Sequence, residues 1–256
     1  MLNGSPTHAG PQLTPTDEVL RSESLRKDFR GIVAVDGVSV GVSRGELLGI
    51  IGPNGAGKTT LFNLIAGAFH PSSGKVFFQG SDITRFPPHK RLRIGIARTF
   101  QLIHPFASLT LFENIMVSAT GSGLSTREAR AQTSETVERM GMTALAGRSA
   151  GSINAVEGKR LEIARAIVTR PTVLLLDEVF SGLNSDEVAE LAELVEELRQ
   201  SGVAIMLIEH NVGAIRRSAQ RMIAMAEGRV ISQGSPEDVL SDPAVVENYI
   251  GTRTRT

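Results

Sequence analysis

The 256 residues include no cysteine, which excludes a disulfide framework and a thiolate metal site. No apolar run approaches the ~20 residues that a membrane-spanning helix needs; the longest, such as Leu47–Ile51 and Val173–Leu176, are strand-sized. Net charge is absent too. Lys plus Arg and Asp plus Glu stand at 27 each, so charge alone draws the chain neither to nucleic acid nor to an anionic membrane. Residues 1 to 18 lack the charged start and apolar centre of a secretion signal. Polar and rich in Pro, Thr and Gly, they read as a disordered leader, taken as far as residue 20. A cytosolic location is the expectation. The composition is that of an ordinary globular chain, 41% hydrophobic and 21% charged, long enough for one large domain or two small ones with a sizeable core.

One stretch organises the rest. Gly52-Pro53-Asn54-Gly55-Ala56-Gly57-Lys58-Thr59-Thr60 has two glycines separated by four residues, then Lys and Thr, the pattern of a phosphate loop. It follows a short apolar strand, Glu46 to Ile51, and opens into a helical segment, Thr60 to Ala66. Glycines there admit positive φ and let successive amides close around an anion. Lys58 reaches the outer phosphates, the Thr59 hydroxyl is a ligand for Mg²⁺, and the helix start adds roughly half a positive charge.

Before the loop, residues 22 to 42 alternate apolar and polar positions and predict an antiparallel hairpin. Phe29 has two readings, a core aromatic or a stacking platform for adenine. Lys75 to Gln79 predicts a strand returning to the first sheet, Pro87-Pro88 a short helix to Ile94, and Ala97-Arg98-Thr99-Phe100-Gln101 a strand end bearing a glutamine. From Leu109 to about Arg148 the composition turns helical and polar, which reads as an inserted helical subdomain. Asn154 and Glu157 then have the spacing of a reciprocal cap for a helix ending at Arg170-Pro171.

Val173-Leu174-Leu175-Leu176 implies a strand buried on both faces, and it delivers Asp177 and Glu178 at its C-terminal end, where open parallel sheets bind ligands. Asp177 is placed to hold Mg²⁺ and Glu178 to orient and deprotonate water; the competing reading is two acids capping a helix. A second buried run, Val203 to Ile208, ends at Glu209-His210. His210 is either a polar strand end or, on a neighbouring parallel strand, a donor to a γ-phosphate. Met222 to Gly234 predicts an edge hairpin, and Ser235-Pro236 and Asp242-Pro243 start two closing helices.

In this order the phosphate loop, Gln101, Asp177-Glu178 and His210 resemble the ATP-binding subunits of ABC transporters, over about residues 22 to 251. Ala97–Gln101, Arg160–Ala166 and Asp242–Gly251 look most like the branched-chain amino-acid importers, although urea, amide and lipopolysaccharide transport ATPases look similar. The resemblance implies an α/β P-loop NTPase (RecA-like) core sheet with an antiparallel β subdomain and a helical subdomain at about 102–170, the whole spanning 21–251 before a tail at 252–256. It implies ATP and Mg²⁺ as cofactors and ATP hydrolysis by a dimer. Membrane permease subunits would be the partners and the sole route of membrane contact, with no nucleic acid, and the chain would lie on the cytoplasmic face of the cell membrane. Phe29 would stack on adenine, Gly52 to Thr60 would bind the phosphates, and Thr59, Gln101 and Asp177 would hold the metal. Glu178 would be the general base, His210 the γ-phosphate sensor, and Ser181-Gly182-Leu183-Asn184 the loop that crosses the dimer.

One departure stands out. Ile153 to Glu157 occupy the family's signature motif, in which a serine and glycines close over the partner subunit's nucleotide. Here Asn154 replaces the serine, Val156 replaces a glycine and blocks close backbone approach, and Glu157 brings a carboxylate toward a polyanion. At ~4 Å that repulsion would be about 1 to 4 kcal/mol. The expectation is an asymmetric dimer with a non-identical ATPase subunit. The alternatives are a non-transport ABC ATPase and a regulatory, weakly hydrolysing subunit.

Overall fold

The computed structural model describes residues 18–99, 105–210 and 212–250. Its strands form two sheets. The first is antiparallel and turns on β1 (Glu18–Phe29), which pairs with β2 (Ile32–Val38), β3 (Gly41–Ser43) and β5 (Ser73–Phe78), with β6 (Ser81–Asp82) beyond β5. The strand starts earlier than the leader expected to residue 20 allows. Glu18 and Leu20 pair with Ser43 and Val42, and Val19 and Leu20 are buried, so hydrogen bonds and apolar burial both order this segment.

The second sheet runs β11-β10-β4-β9-β8-β7, built from β4 (Leu47–Ile51), β7 (Ile96–Arg98), β8 (Val173–Asp177), β9 (Ala204–Ile208), β10 (Arg221–Ala226) and β11 (Arg229–Gly234). All its neighbours pair in parallel except the β10–β11 hairpin at one edge. Every residue of β4, β8 and β9 is buried, as expected of unbroken apolar runs in a parallel sheet covered on both sides. The side-chain period of two divides them between two cores. Leu48, Ile50, Leu175 and Met206 join the antiparallel sheet and helix α1 (Lys58–Ile65). Leu47, Ile51, Leu174, Leu176 and Leu207 join the helical side.

On that side lie α3 (Leu111–Gly121), α4 (Thr126–Arg139), α5 (Ala155–Ile167) and α6 (Ser185–Gln200). Each carries a capping box, from Thr110, Ser125, Asn154 and Asn184 respectively. Ile115, Ala129 and Leu161 of the first three share one apolar cluster with the sheet residues Leu174 and Leu176. Helix α5 stops at Ile167, short of the expected Arg170; Arg170 precedes Pro171, where the helical conformation is disfavoured, and takes φ +51. The remaining helices are α2 (Pro88–Arg93), α7 (Val212–Ser218), α8 (Pro236–Ser241) and α9 (Pro243–Ile250).

The far end of α1 is pinned by Arg91 of α2, which is 0% exposed. Its Nη1 donates to Leu64 O (2.8 Å) and Ile65 O (2.5 Å), its Nη2 to Ile83 O and Thr84 O (3.0 Å each), and its Nε to Phe86 O (3.0 Å). Burial lowers the guanidinium to about 10, with Asp82 opposing, so it stays charged and adds donors at the helix end, where Ile65 O has no backbone partner among the described residues and Leu64 O also accepts from Gly67 N. Arg91→Met should leave Ile65 O, Thr84 O and Phe86 O without this donor and cost about 3–5 kcal/mol, read from denaturant midpoints. Arg91→Lys, with a point charge in place of a fork of donors, should recover only part of it. A loss below about 1 kcal/mol in Arg91→Met would show that water replaces the guanidinium without penalty.

Candidate functional site

β4, β8 and β9 are parallel neighbours, so their C-terminal ends share one edge of the sheet. β9 stands between the other two, which sets His210 between the glycine loop and the Asp177-Glu178 pair. The loop leaves β4 through Gly52 and enters α1 at Lys58, two residues before the helix expected at Thr60, because Gly57 takes the left-handed conformation (φ +95) as its cap. No side chain caps this helix start, and its first amides are open to an anion. The loop is wedged between the two sheets. A Cβ on Gly57 would lie 2.3 Å from Ala34 O of β2, and one on Gly52 2.3 Å from Met225 O of β10. Ala56 O also accepts from Gly228 N. Asn54, Gly55 and Thr59 are exposed, while Pro53 and Thr60 are partly so.

Lys58 is buried, and its Nζ donates to Gly52 O (2.7 Å) and Pro53 O (3.0 Å). Burial lowers its ammonium below the ordinary range, opposed by the charges of Glu178 and Asp177. Asp177 is wholly out of solvent. Its Oδ2 accepts from Arg98 Nη2 at 2.8 Å, and Arg98 Nη1 in turn donates to Asn63 Oδ1 of α1 at 2.6 Å. Desolvation raises the Asp177 carboxyl and the Arg98 bond resists it. Its Oδ1 is buried with no hydrogen-bond partner among the described residues. Thr59 and Asp177 line one cavity of about 780 Å³ with Asn63, Arg98 and Thr99. An orphaned carboxylate oxygen and a threonine hydroxyl on the lining of the same cavity fit Mg²⁺, which takes one or two protein oxygens and completes its shell with water and substrate phosphates. The described residues hold no cluster of three or more metal-binding side chains, and such a site needs none.

Glu178 has φ +53, a conformation that costs a residue with a Cβ about 1–2 kcal/mol. The turn is held by Glu178 N to Ile208 O (2.9 Å), Ser181 N to Glu178 O (3.2 Å) and Lys159 Nζ to Glu178 O (3.1 Å). His210 Nε2 lies 2.8 Å from Glu178 Oε1. An ionised carboxylate only accepts, so in that state the Nε2 carries the proton. Phe29, at the β1–β2 hairpin, is 40% exposed and meets Phe69 edge-on, with ring centroids 5.4 Å apart; it is a partly open ring rather than a core aromatic. Gln101 lies outside the described residues. Ser181, Gly182 (φ +80) and Leu183 form the turn into α6, where Asn184 is the N-cap.

Asn154 Oδ1 accepts from Glu157 N (2.8 Å), and Glu157 Oε2 accepts from Asn154 N (2.9 Å). Glu157 Oε1 accepts from Arg148 Nη1 at 2.8 Å. Both carboxylate oxygens are thus engaged and a cation stands beside them, so the repulsion expected of Glu157 is weaker than an isolated charge would give. Val156 carries its branched side chain one position earlier. Arg98, Arg148, Lys159 and Glu209 carry no task in the sequence pattern, and the structure gives each a partner at the site. The legible signal for Arg98 and Glu209 was a charged residue at the end of an apolar strand.

The ABC transporter family pattern matches residues 35–181, and a branched-chain amino acid ATP-binding cassette transporter pattern matches 229–254. The high-affinity branched-chain amino acid transport ATP-binding protein BraF of Pseudomonas aeruginosa is 35% identical, over 91% of this chain and 98% of its own. The lipopolysaccharide export system ATP-binding protein LptB of Acidithiobacillus ferridurans is also 35% identical, over 91% and 97%. Among solved structures, an ATP-binding cassette of an ABC transporter in its ADP conformation superposes with a TM-score of 0.84 at 33% identity, over 91% of this chain and 99% of that one. With a phosphate loop, two acids and a histidine gathered at one sheet edge, and likeness along nearly the whole chain, this protein belongs to the ABC transporter family of ATP-binding subunits, ATPases coupled to transport.

Proposed function

We propose that this chain is the ATP-hydrolysing subunit of an importer for branched-chain amino acids or a related small polar solute, paired with a second, non-identical ATPase subunit. The gathering of Lys58, Asp177, Glu178 and His210 at one buried sheet edge carries the reading. The match of the C-terminal segment to the branched-chain amino acid pattern supports the solute class, and the altered signature supports the unlike partner. Membrane permease subunits are the proposed partners and the attachment to the cytoplasmic face of the membrane. The ATPase module runs from residue 18 to about 251, with the helical part at about 102–170.

In this reading the amides of Gly52–Thr60 bind the phosphates of ATP, and Lys58 exchanges its two loop carbonyls for phosphate oxygens. Thr59, Asp177 and Gln101 hold Mg²⁺, which when bound neutralises charge developing on the phosphates. Glu178 orients water and takes its proton, and His210, already in contact with Glu178, reports on the terminal phosphate. Phe29 stacks on the base. Ser181–Asn184 and the Asn154–Glu157 helix start face the partner subunit. Glu178 and His210 are both present and touching, which favours hydrolysis over a silent regulatory role.

Glu178→Gln should leave ATP binding within about threefold of the parent while lowering turnover by about 10²-fold or more, measured by nucleotide titration and phosphate release. Loss of binding would make this carboxylate structural. For the unlike partner, turnover of the purified chain alone is compared with that of Asn154→Ser, Val156→Gly, Glu157→Gln combined. A rise of about tenfold or more in the triple variant alone is expected; robust turnover by the unaltered chain on its own would end the asymmetric reading.

A further inference from the structure

Glu209 has no task in the mechanism above, yet it is 2% exposed and ionisable. It follows the last residue of β9, and its N–H reaches Ile50 O at the end of β4 at 3.4 Å. Its Oε1 accepts from Phe180 N at 2.7 Å, two residues beyond Glu178. One side chain therefore joins the turn after β8 to the end of β9 and, through its own backbone, to the strand that precedes the glycine loop. That turn needs restraint, because Glu178 is held at φ +53. Released, it would relax toward negative φ and carry Oε1 away from His210 Nε2.

We propose that Glu209 is a positioning residue that clamps the Glu178 turn onto the end of β9 and thereby maintains the Glu178–His210 contact. The proposal rests on the reading of Glu178 as the base. The charged and titratable groups facing Glu209 are Glu178 on the clamped turn, Lys159 of α5 and the adjacent His210. Burial is the main cause that pushes its carboxyl up to about 7; the Phe180 and His210 amides oppose it, Glu178 adds to it and Lys159 opposes it. The folded pKa lies above the ordinary 4.5, so the closed clamp prefers the protonated acid. Its stability is complete below pH 4.5 and is lost as pH rises through about 7.

The test uses the full chain, Glu209→Gln and Glu209→Ala, with the hydrogen-exchange protection of the Phe180 amide and ATP turnover both followed from about pH 6 to 8.5. Glutamine keeps the acceptor oxygen and cannot titrate. Protection in the unaltered chain should fall about tenfold relative to Glu209→Gln across that range, and Glu209→Ala should lose it at every pH. Turnover of the unaltered chain relative to Glu209→Gln should fall over the same range. Equal protection in all three proteins, or the same pH dependence with glutamate and glutamine, overturns the clamp. A flat turnover ratio beside the expected exchange overturns the positioning role. Where the unaltered chain on its own turns over no ATP, as the unlike-partner reading expects, the His210 ring resonance, shifted in Glu209→Ala and unshifted if the clamp does not reach it, decides the inference.

Discussion

A carboxylate taken wholly out of water is tolerated only with a charge or several donors beside it, and Asp177 imposes that requirement on everything around it. Arg98 answers it from the neighbouring strand, and Asn63 answers Arg98 from the helix behind the glycine loop. The chain of contacts from β8 to β7 to α1 thus begins with one buried negative charge. Because Arg98 takes a single oxygen, the other is left over and the site keeps a reason to bind a cation. The C-terminal half of α1, and with it the position of the loop, is tied by this relay at Asn63 and by Arg91 at Leu64 and Ile65.

The start of α5 shows two demands meeting on the same residues. A serine-glycine signature would leave backbone and hydroxyl free for a neighbouring subunit. Asn154 and Glu157 instead satisfy each other, and Arg148 completes the carboxylate. What the helix gains in local order it withdraws from outside contact, apart from the side-chain amide of Asn154. The charge objection to this motif is reduced by Arg148, and the steric objection from Val156 stands.

Much of this architecture was legible because it rests on local signals. Four apolar residues ahead of two acids could only be a doubly buried strand, and the Asn154–Glu157 spacing foretold its cap. The glycine loop marked itself by spacing, though not the start of its helix, which depends on the left-handed Gly57. What escaped notice came from partners distant in sequence. Arg98 meets Asp177 across 79 positions and Glu209 meets Phe180 across 29, and no periodicity announces such pairs. The early start of β1 is of the same kind, since Val42 and Ser43 supply the pairing that orders Glu18 to Leu20.

The wedging of the glycine loop has a mechanical consequence. Gly57 sits against a carbonyl of the antiparallel sheet and Gly52 against one of the central sheet, at distances that leave no room for a single extra carbon. The loop therefore stands as a spacer whose fit depends on the separation of the two sheets. Any approach of the two sheets at this point would press on the nucleotide cradle from both sides.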